Sequence, residues 1–171
     1  MNFDHPPAEP FATADEWLAA ARTLDTRNPL ATTLCTVDPD GRPSGRTVLL
    51  KKLDPSGAVF FTNRESRKGA ALEASGYATL VLHWDALERQ LIIEGAVEHT
   101  SDDDSDAYFA TRLRTSQIGA WASAQSRPSP DRAALDAAFW EIAAKYDDQP
   151  IPRPPHWGGY RIKIDRITFW Q

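Results

Sequence analysis

The sequence has little cysteine, no long apolar run and no extended basic tract. Cys35 is the single cysteine among 171 residues, which excludes an internal disulfide and a multi-cysteine metal site. No apolar run approaches the roughly 18 residues that a membrane span needs. The net charge of −5, without a basic stripe, makes nucleic acid a poor partner. Because residues 1–10 carry acids and three prolines rather than a basic and then apolar signal, we expect a cytoplasmic protein.

Several catalytic motifs are also missing. There is no Gly-x-Gly-x-x-Gly turn and no Gly-Lys-Ser/Thr loop, so dinucleotide-fold and P-loop interpretations have no support. The four histidines are scattered, with none spaced three or four residues apart, which excludes zinc chemistry of the His-Glu-x-x-His kind. No Gly-x-Ser-x-Gly elbow supports a serine hydrolase. The acidic run 102–104 follows Ser101 at a predicted helix start, where negative charge is favourable, so we interpret it as structural and predict no metal site.

From residue 30 onward, short β-like runs alternate with turns. The turns include Asp-Pro-Asp-Gly at 38–41 and Asp-Pro-Ser-Gly at 54–57. Strands joined by such short turns pair antiparallel, because parallel strands need long crossovers. The runs predict strands over 33–37, 46–53, 58–62, 78–84, 90–97 and 160–170.

Helical patterns flank these runs. They predict helices from a capping box at 13–16, over 66–75, over 101–109, and from Ser129 with Pro130 at its first helical position. Residues 1–12 read as a loose N-terminal arm. We therefore expect a single domain, 1–171, of mainly β class, an antiparallel barrel with helices packed outside it.

The sequence Ser66-Arg67-Lys68-Gly69 is the first indication of phosphate recognition. Two cations directly follow a predicted N-cap, at the positive end of a helix dipole. Cations are disfavoured there unless an anion lies between them and the free N–H groups of the first turn. Two solvated surface charges are an equally good explanation of this motif alone.

Two further groups of residues are typical of anion sites. Arg46 and Lys51 lie at opposite ends of an apolar strand and, five residues apart, are predicted to point to opposite faces. Each could then serve a different anion, or one of them could be a plain surface charge. Tyr108, Arg112 and Ser116 offer a phenol, a guanidinium and a hydroxyl, with Arg112 one helical turn after Tyr108. An exposed helix end explains this second group equally well.

Several longer blocks resemble the pyridoxamine 5'-phosphate oxidase family. They occur in the order and spacing of that family from about Glu9 to the last residue, and they are specific only jointly. The blocks are Arg46-Thr47-Val48-Leu49-Leu50-Lys51, Phe61-Thr62-Asn63, Glu65-Ser66-Arg67-Lys68-Gly69, Leu87-Glu88-Arg89-Gln90, 116–123, Gln125-Ser126, Trp157-Gly158-Gly159 and Phe169-Trp170-Gln171.

The resemblance implies a split β-barrel homodimer that binds two FMN molecules across the subunit interface. The residues it assigns to FMN are Arg46, Thr47, Val48, Leu49, Leu50, Lys51, Phe61, Thr62, Arg67, Lys68, Gln90, Gln125, Ser126 and Trp170. Among these, Arg67 and Lys68 are expected at the FMN phosphate, and Gln125, Ser126 and Trp170 are expected from the partner subunit. The residues it assigns to the phosphate of a vitamin B6 substrate are Lys51, Tyr108, Arg112 and Ser116.

The reaction implied by the resemblance is oxidation of pyridoxamine or pyridoxine 5'-phosphate to pyridoxal 5'-phosphate. A hydride passes from C4' of the substrate to the flavin, and oxygen is the final acceptor. The cofactor then carries the redox chemistry while the protein supplies orientation and electrostatics, which explains why no catalytic acid–base pair is evident.

The sequence departs from the family pattern in three places. Leu113 stands where the family usually has proline, which loosens that turn. The family continues past the Phe-Trp-Gln block with an Arg-Leu-His segment and a further arginine, whereas this sequence ends at Gln171 and has a short N-terminal arm. We therefore expect FMN binding, with slower turnover than in a longer relative.

Two alternatives remain open at this stage. One is a relative on the same barrel that acts on another substrate, such as a phenazine precursor or a flavin, since fold alone does not fix function. The other is a non-catalytic protein that binds FMN or pyridoxal phosphate.

Overall fold

The structure is a computed structural model that describes residues 4–5 and 9–171. Its strands are β1 (Ala31–Val37), β2 (Pro43–Leu49), β3 (Lys52–Asp54), β4 (Gly57–Asn63), β5 (Tyr77–Trp84), β6 (Arg89–His99) and β7 (Trp157–Trp170). Its helices are α1 (Pro10–Arg22), α2 (Arg67–Ser75), α3 (Asp102–Ala110), α4 (Arg114–Ala122) and α5 (Arg132–Tyr146), with a 3₁₀ turn at Asp85–Leu87.

All seven strands belong to one antiparallel sheet. Their order is β2-β1-β5-β6-β7-β4-β3. Short connections join β1 to β2 and β5 to β6, whereas the last strand, β7, lies between β6 and β4. The edge strand β2 also lies against β4, and the backbone N–H of Lys51, next to β3, donates a 2.8 Å hydrogen bond to the carbonyl of Val59 in β4. This is the predicted mainly β, antiparallel split-barrel architecture.

The predicted strand 46–53 is wrong as a single element. The chain leaves β2 after Leu49 and begins β3 at Lys52, with Leu50 turned into the core at 2% exposure. The backbone N–H of Leu50 bonds to the carbonyl of Leu30 instead of continuing the β2 ladder. The alternation rule therefore does not extend from Arg46 to Lys51, and the prediction that they face opposite sides has no basis.

Two helix starts also differ from prediction. The first helix begins at Pro10 rather than at Thr13, because proline fixes φ near the helical value and needs no N–H partner in the first turn. Residues 10–12 thus belong to α1, while 1–3 and 6–8 of the predicted arm lie outside the described residues. Helix α5 is capped by Asp131, whose carboxylate accepts a 2.7 Å hydrogen bond from the N–H of Ala134, not by Ser129. Helix α4 was not predicted.

Two apolar clusters hold these elements together. The larger fills the barrel and buries α1 against it through Trp17, which is fully buried. The smaller joins α3 and α4 to the start of β7, and its buried members are Phe109, Ile118, Ile151 and Trp157. Burying a side chain of this size stabilises the fold by about 1.5–3 kcal/mol, so the smaller cluster fixes the two helices relative to the sheet.

Candidate functional site

A cleft of about 550 Å³, called the main cleft below, opens between the β2–β3 connection, β4, α2 and the α3–α4 turn. Most of the residues predicted from the sequence line it. The predicted residues that it brings together are Thr47, Val48, Leu49, Lys51, Phe61, Thr62, Lys68, Tyr108, Arg112, Ser116 and Gln125. The remaining lining residues are Asn28, Leu113 and Trp157.

Some predicted residues do not line the main cleft. Leu50 lies in the core, and Ser126 is exposed in a left-handed backbone conformation next to Gln125. Gln90 and Trp170 are paired with each other in the β6–β7 ladder, at the far end of β7 from its first residue. Arg46 and Arg67 belong to a separate polar cluster beside the cleft.

Lys68 lies in the first turn of α2 and points into the main cleft. Ser66 caps the helix by accepting a hydrogen bond from the N–H of Gly69. The Lys68 ammonium donates to Oγ of Ser66 at 3.1 Å and to Oε1 of Gln125 at 2.6 Å. Burial, followed by repulsion from Arg46, lowers the pKa of Lys68 to about 8. A half-buried cation with only neutral hydrogen-bond partners is suited to binding an anion.

Arg67 is not the unpaired cation that the sequence indicated. Its guanidinium donates two hydrogen bonds to Asp38, one of them from Nε at 3.0 Å, and Ser44 donates to the same carboxylate at 2.9 Å. These contacts, led by the Arg67 hydrogen bond, lower the pKa of Asp38. Arg46 joins the cluster through Ser44 and through the β1 carbonyl of Leu34 at 3.1 Å. The sequence did not indicate Asp38 as the partner of Arg67, because an aspartate is already expected in the turn 38–41.

Four of the residues that line the main cleft carry groups suited to a phosphate, and we call them the donor cluster: Lys51, Tyr108, Arg112 and Ser116. Lys51 Nζ lies 5.5 Å from the centre of the Tyr108 ring. Helix α3 ends at Ala110, so Arg112 lies in the turn before α4 and not on the predicted helix with Tyr108. The turn brings Arg112 back toward the sheet.

Arg112 has the most unusual environment of the donor cluster. Its guanidinium is half-buried, and burial lowers its pKa. The Nη1 atom is buried and has no hydrogen-bond partner among the described residues. Instead, the guanidinium carbon lies 4.8 Å from the ring centre of Trp157 and 5.5 Å from that of Phe109. Because this cation lines the main cleft and has no carboxylate partner among the described residues, it is suited to an anionic ligand.

Trp157 and Gly159 shape the wall of the cleft beside the donor cluster. The Phe61 ring stacks on Tyr108 at 4.2 Å and on Trp157 at 5.5 Å, with interplanar angles of 18° and 9°. A Cβ at Gly159 would lie 2.7 Å from the Phe61 ring, so glycine is required for this stack to form. Trp157 and Gly159 both belong to the sequence block at 157–159, but the sequence assigned neither of them a role.

A larger cleft of about 660 Å³ lies apart from these residues, beside α3. Its cation, Arg153, is bound to Asp102 at 2.8 Å and to Asp106 at 2.5 Å, so its charge is already matched by two carboxylates. The described residues contain no group of three or more His, Cys, Asp or Glu side chains placed to hold a metal ion. Within the same part of the chain, no helix combines the length and apolar character that crossing a bilayer requires.

Comparison with known proteins gives consistent matches over most of the chain. A family model described as pyridoxamine 5'-phosphate oxidase matches residues 19–146. The pyridoxine/pyridoxamine 5'-phosphate oxidase of Azorhizobium caulinodans is 54% identical over 162 residues, which are 95% of this chain and 76% of that protein. The protein of the same name from Sphingopyxis alaskensis is 50% identical over 163 residues, with the same coverage.

Solved structures match as well. PhzG from Burkholderia lata 383, in complex with tetrahydrophenazine-1-carboxylic acid, aligns with a TM-score of 0.90 and 34% identity, over 98% of this chain and 82% of that one. A pyridoxamine 5'-phosphate oxidase-related, FMN binding protein from Nostoc punctiforme aligns with a TM-score of 0.73 over 96% of this chain and 86% of that one. Its identity of 15% supports a shared fold alone.

Proposed function

The chain belongs to the pyridoxamine 5'-phosphate oxidase family, and from this premise we propose that it oxidises pyridoxamine and pyridoxine 5'-phosphate to pyridoxal 5'-phosphate, with FMN as cofactor and oxygen as acceptor. The observation that carries the proposal is the donor cluster. Lys51, from the β2–β3 connection, lines the main cleft together with Tyr108, Arg112 and Ser116, which lie in α3, the following turn and α4. A phosphate ester is a ligand that matches two cations and two hydroxyls.

Other residues that line the main cleft are suited to FMN. Lys68, at the N-terminal turn of α2, and Thr62 supply donors for a phosphate, and the α2 dipole adds to the attraction. Val48 and Leu49 give an apolar wall for a flat ring. When bound, FMN supplies the acceptor for the substrate hydride and passes the electrons on to oxygen.

The protein groups act by binding and orientation. The donor cluster holds the substrate through its phosphate, and Arg112 contributes a cation that lines the main cleft. Holding the phosphate at a fixed point limits where C4' of the ring can lie relative to the flavin, and misplacement by about 1 Å can cost ~100-fold in rate. Excluding water from this half-buried cleft also strengthens each charged hydrogen bond.

We also propose that the 171 residues act as one FMN-binding domain in a homodimer. Trp170 is 58% exposed and, with Gln90, lies at the end of the β6–β7 ladder rather than in the main cleft. If both contact the flavin, a second copy supplies at least Trp170. Gln125, by contrast, bonds to Lys68 of the same chain, and we propose that it contacts the flavin from that chain rather than from the partner subunit.

A second candidate function is oxidation of a reduced phenazine precursor. It is favoured by the 34% identity and TM-score of 0.90 to PhzG in complex with tetrahydrophenazine-1-carboxylic acid. Leu113, 77% exposed at the rim of the main cleft, adds apolar surface on which an uncharged ring system would pack. The donor cluster favours the B6 phosphate instead.

The test is to record the visible spectrum of the purified protein and then measure peroxide under air with each substrate. We expect a flavin spectrum and peroxide production with pyridoxamine 5'-phosphate, and much less with pyridoxamine. Peroxide production with tetrahydrophenazine-1-carboxylic acid but not with pyridoxamine 5'-phosphate would establish the second candidate function. A flavin spectrum with no turnover of either would indicate a binding protein or a flavin reductase.

A further inference from the structure

Trp157 contacts two members of the donor cluster through one ring. It is the first residue of β7 and is 5% exposed. Its indole lies under the Arg112 guanidinium at 4.8 Å and is nearly parallel to the Tyr108 ring, at 6.1 Å and 10°. Phe61 stacks on both rings, so the indole, the phenyl and the phenol form one aromatic stack.

The stack holds the Arg112 guanidinium without a carboxylate partner from the described part of the chain. Among the described residues, Arg112 forms no salt bridge, although its guanidinium is half-buried. A carboxylate would hold the guanidinium in place but would neutralise its charge and occupy its N–H groups. A ring face attracts the cation and leaves the N–H groups in its plane available.

We propose that Trp157 is a positioning residue for phosphate binding: its indole fixes the Arg112 guanidinium without occupying the N–H groups, and the stack fixes the plane of Tyr108. The inference rests on the proposed function, in that the donor cluster binds the phosphate of the substrate. Trp157 itself contributes no hydrogen bond to the phosphate. It acts through Arg112 and Tyr108.

A purely structural role for Trp157 predicts different behaviour. Trp157 belongs to the smaller apolar cluster, so its removal also costs packing. Trp121 provides a matched control, because it packs against the same cluster and donates a 2.8 Å hydrogen bond to the carbonyl of Pro152. Its ring contacts are with Tyr146, His156 and Lys145 rather than with Arg112.

The experiment measures binding rather than turnover. FMN-loaded protein is titrated calorimetrically with 4-deoxypyridoxine 5'-phosphate, a substrate analogue that has no oxidisable C4' group, and with 4-deoxypyridoxine. We expect Trp157→Leu to weaken binding of the phosphate ester about tenfold, with little change for the unphosphorylated compound. Trp157→Phe, which keeps a ring face, should recover most of the loss. Trp121→Leu should leave the ratio of the two affinities unchanged.

A double-mutant cycle completes the test. In an Arg112→Ala background, Trp157→Leu should cause little further loss, because the group that it positions is already gone. Additive losses, or an equal loss for both ligands, would overturn the proposal, as would failure of Trp157→Phe to recover binding while thermal unfolding and flavin content stay normal. Absence of peroxide from the wild-type protein would refute the oxidase activity alone. Equal wild-type affinity for both ligands would refute both proposals.

Discussion

Lys68 and Gln125 lie 57 positions apart in the sequence and meet in the main cleft, where the ammonium donates a 2.6 Å hydrogen bond to the amide oxygen. The contact ties the segment after α4 to the first turn of α2. It also leaves Lys68 with neutral partners only, so that an incoming phosphate gains a cation that no carboxylate already holds.

We expect Lys68→Ala to weaken FMN binding by ~1.5–3 kcal/mol, since hydrogen bonds to charged groups contribute about that much. Arg67→Ala should weaken it less, because Arg67 is bonded to Asp38 and does not line the cleft. Titration of the apoproteins with FMN, followed by flavin fluorescence, measures both. If neither substitution changes the affinity, the two cations are surface charges without a role in cofactor binding.

The lowered pKa of Lys68, about 8, makes FMN affinity depend on pH. The free protein carries the Lys68 cation below pH 8 and loses it above, so affinity should fall by up to about tenfold per pH unit between pH 8 and 9.5. Lys68→Arg should flatten this profile, because a guanidinium stays protonated throughout that range. If the FMN affinity of Lys68→Arg falls over this pH range as it does in the wild-type protein, the group that titrates is not Lys68.

We expect Arg112→Ala to raise the KM for pyridoxamine 5'-phosphate and to leave the flavin spectrum intact. The guanidinium lies with the donor cluster, remote from the reacting carbon, and a contact that is equally strong in ground and transition states affects binding rather than kcat. Steady-state kinetics under air, with Arg112→Lys as a charge-preserving control, provide the measurement. Loss of flavin with unchanged KM would reassign Arg112 to the cofactor.

A mixed-subunit experiment tests the proposed homodimer and the origin of its flavin contacts. Lys68→Ala and Trp170→Ala should each lose flavin, because each removes one contact from every site. If the two contacts come from different subunits, exchanging subunits between the variants restores about a quarter of all sites to the native residue set. Flavin retention no better than in either parent would place both contacts on one subunit. A stable, flavin-loaded monomer in light scattering would refute the dimer.

The strands and helices were largely predictable because their signals are local. The Asp-Pro turns bounded the antiparallel strands, and Ser66 and Ser101 were identified as helix caps that the structure confirms. The errors also have local causes. The break after Leu49 was missed because the apolar run continues through it. The start of α1 was misplaced because Pro10 precedes an equally plausible cap at Thr13.

The residues of the site, and the four donors assigned to the substrate phosphate, were named from the sequence, but the contacts that hold them in place were not. No local pattern indicates that Asp38 holds Arg67, that Gln125 meets Lys68, or that Arg112 rests on Trp157. Each pair joins segments far apart in the chain. The contacts depend on how β7 enters the sheet and on where α4 packs, and α4 itself was not predicted.

The sequence by itself determined the class of fold, the family and the types of side chain available to bind phosphates, because these follow from periodicity, turn chemistry and the order of motifs. Only the tertiary structure decided which donors share a cleft, which cation already has a carboxylate partner and which N–H has none. These properties arise from long-range packing, which places residues within hydrogen-bonding distance and removes them from water, and no local stretch of sequence encodes either effect.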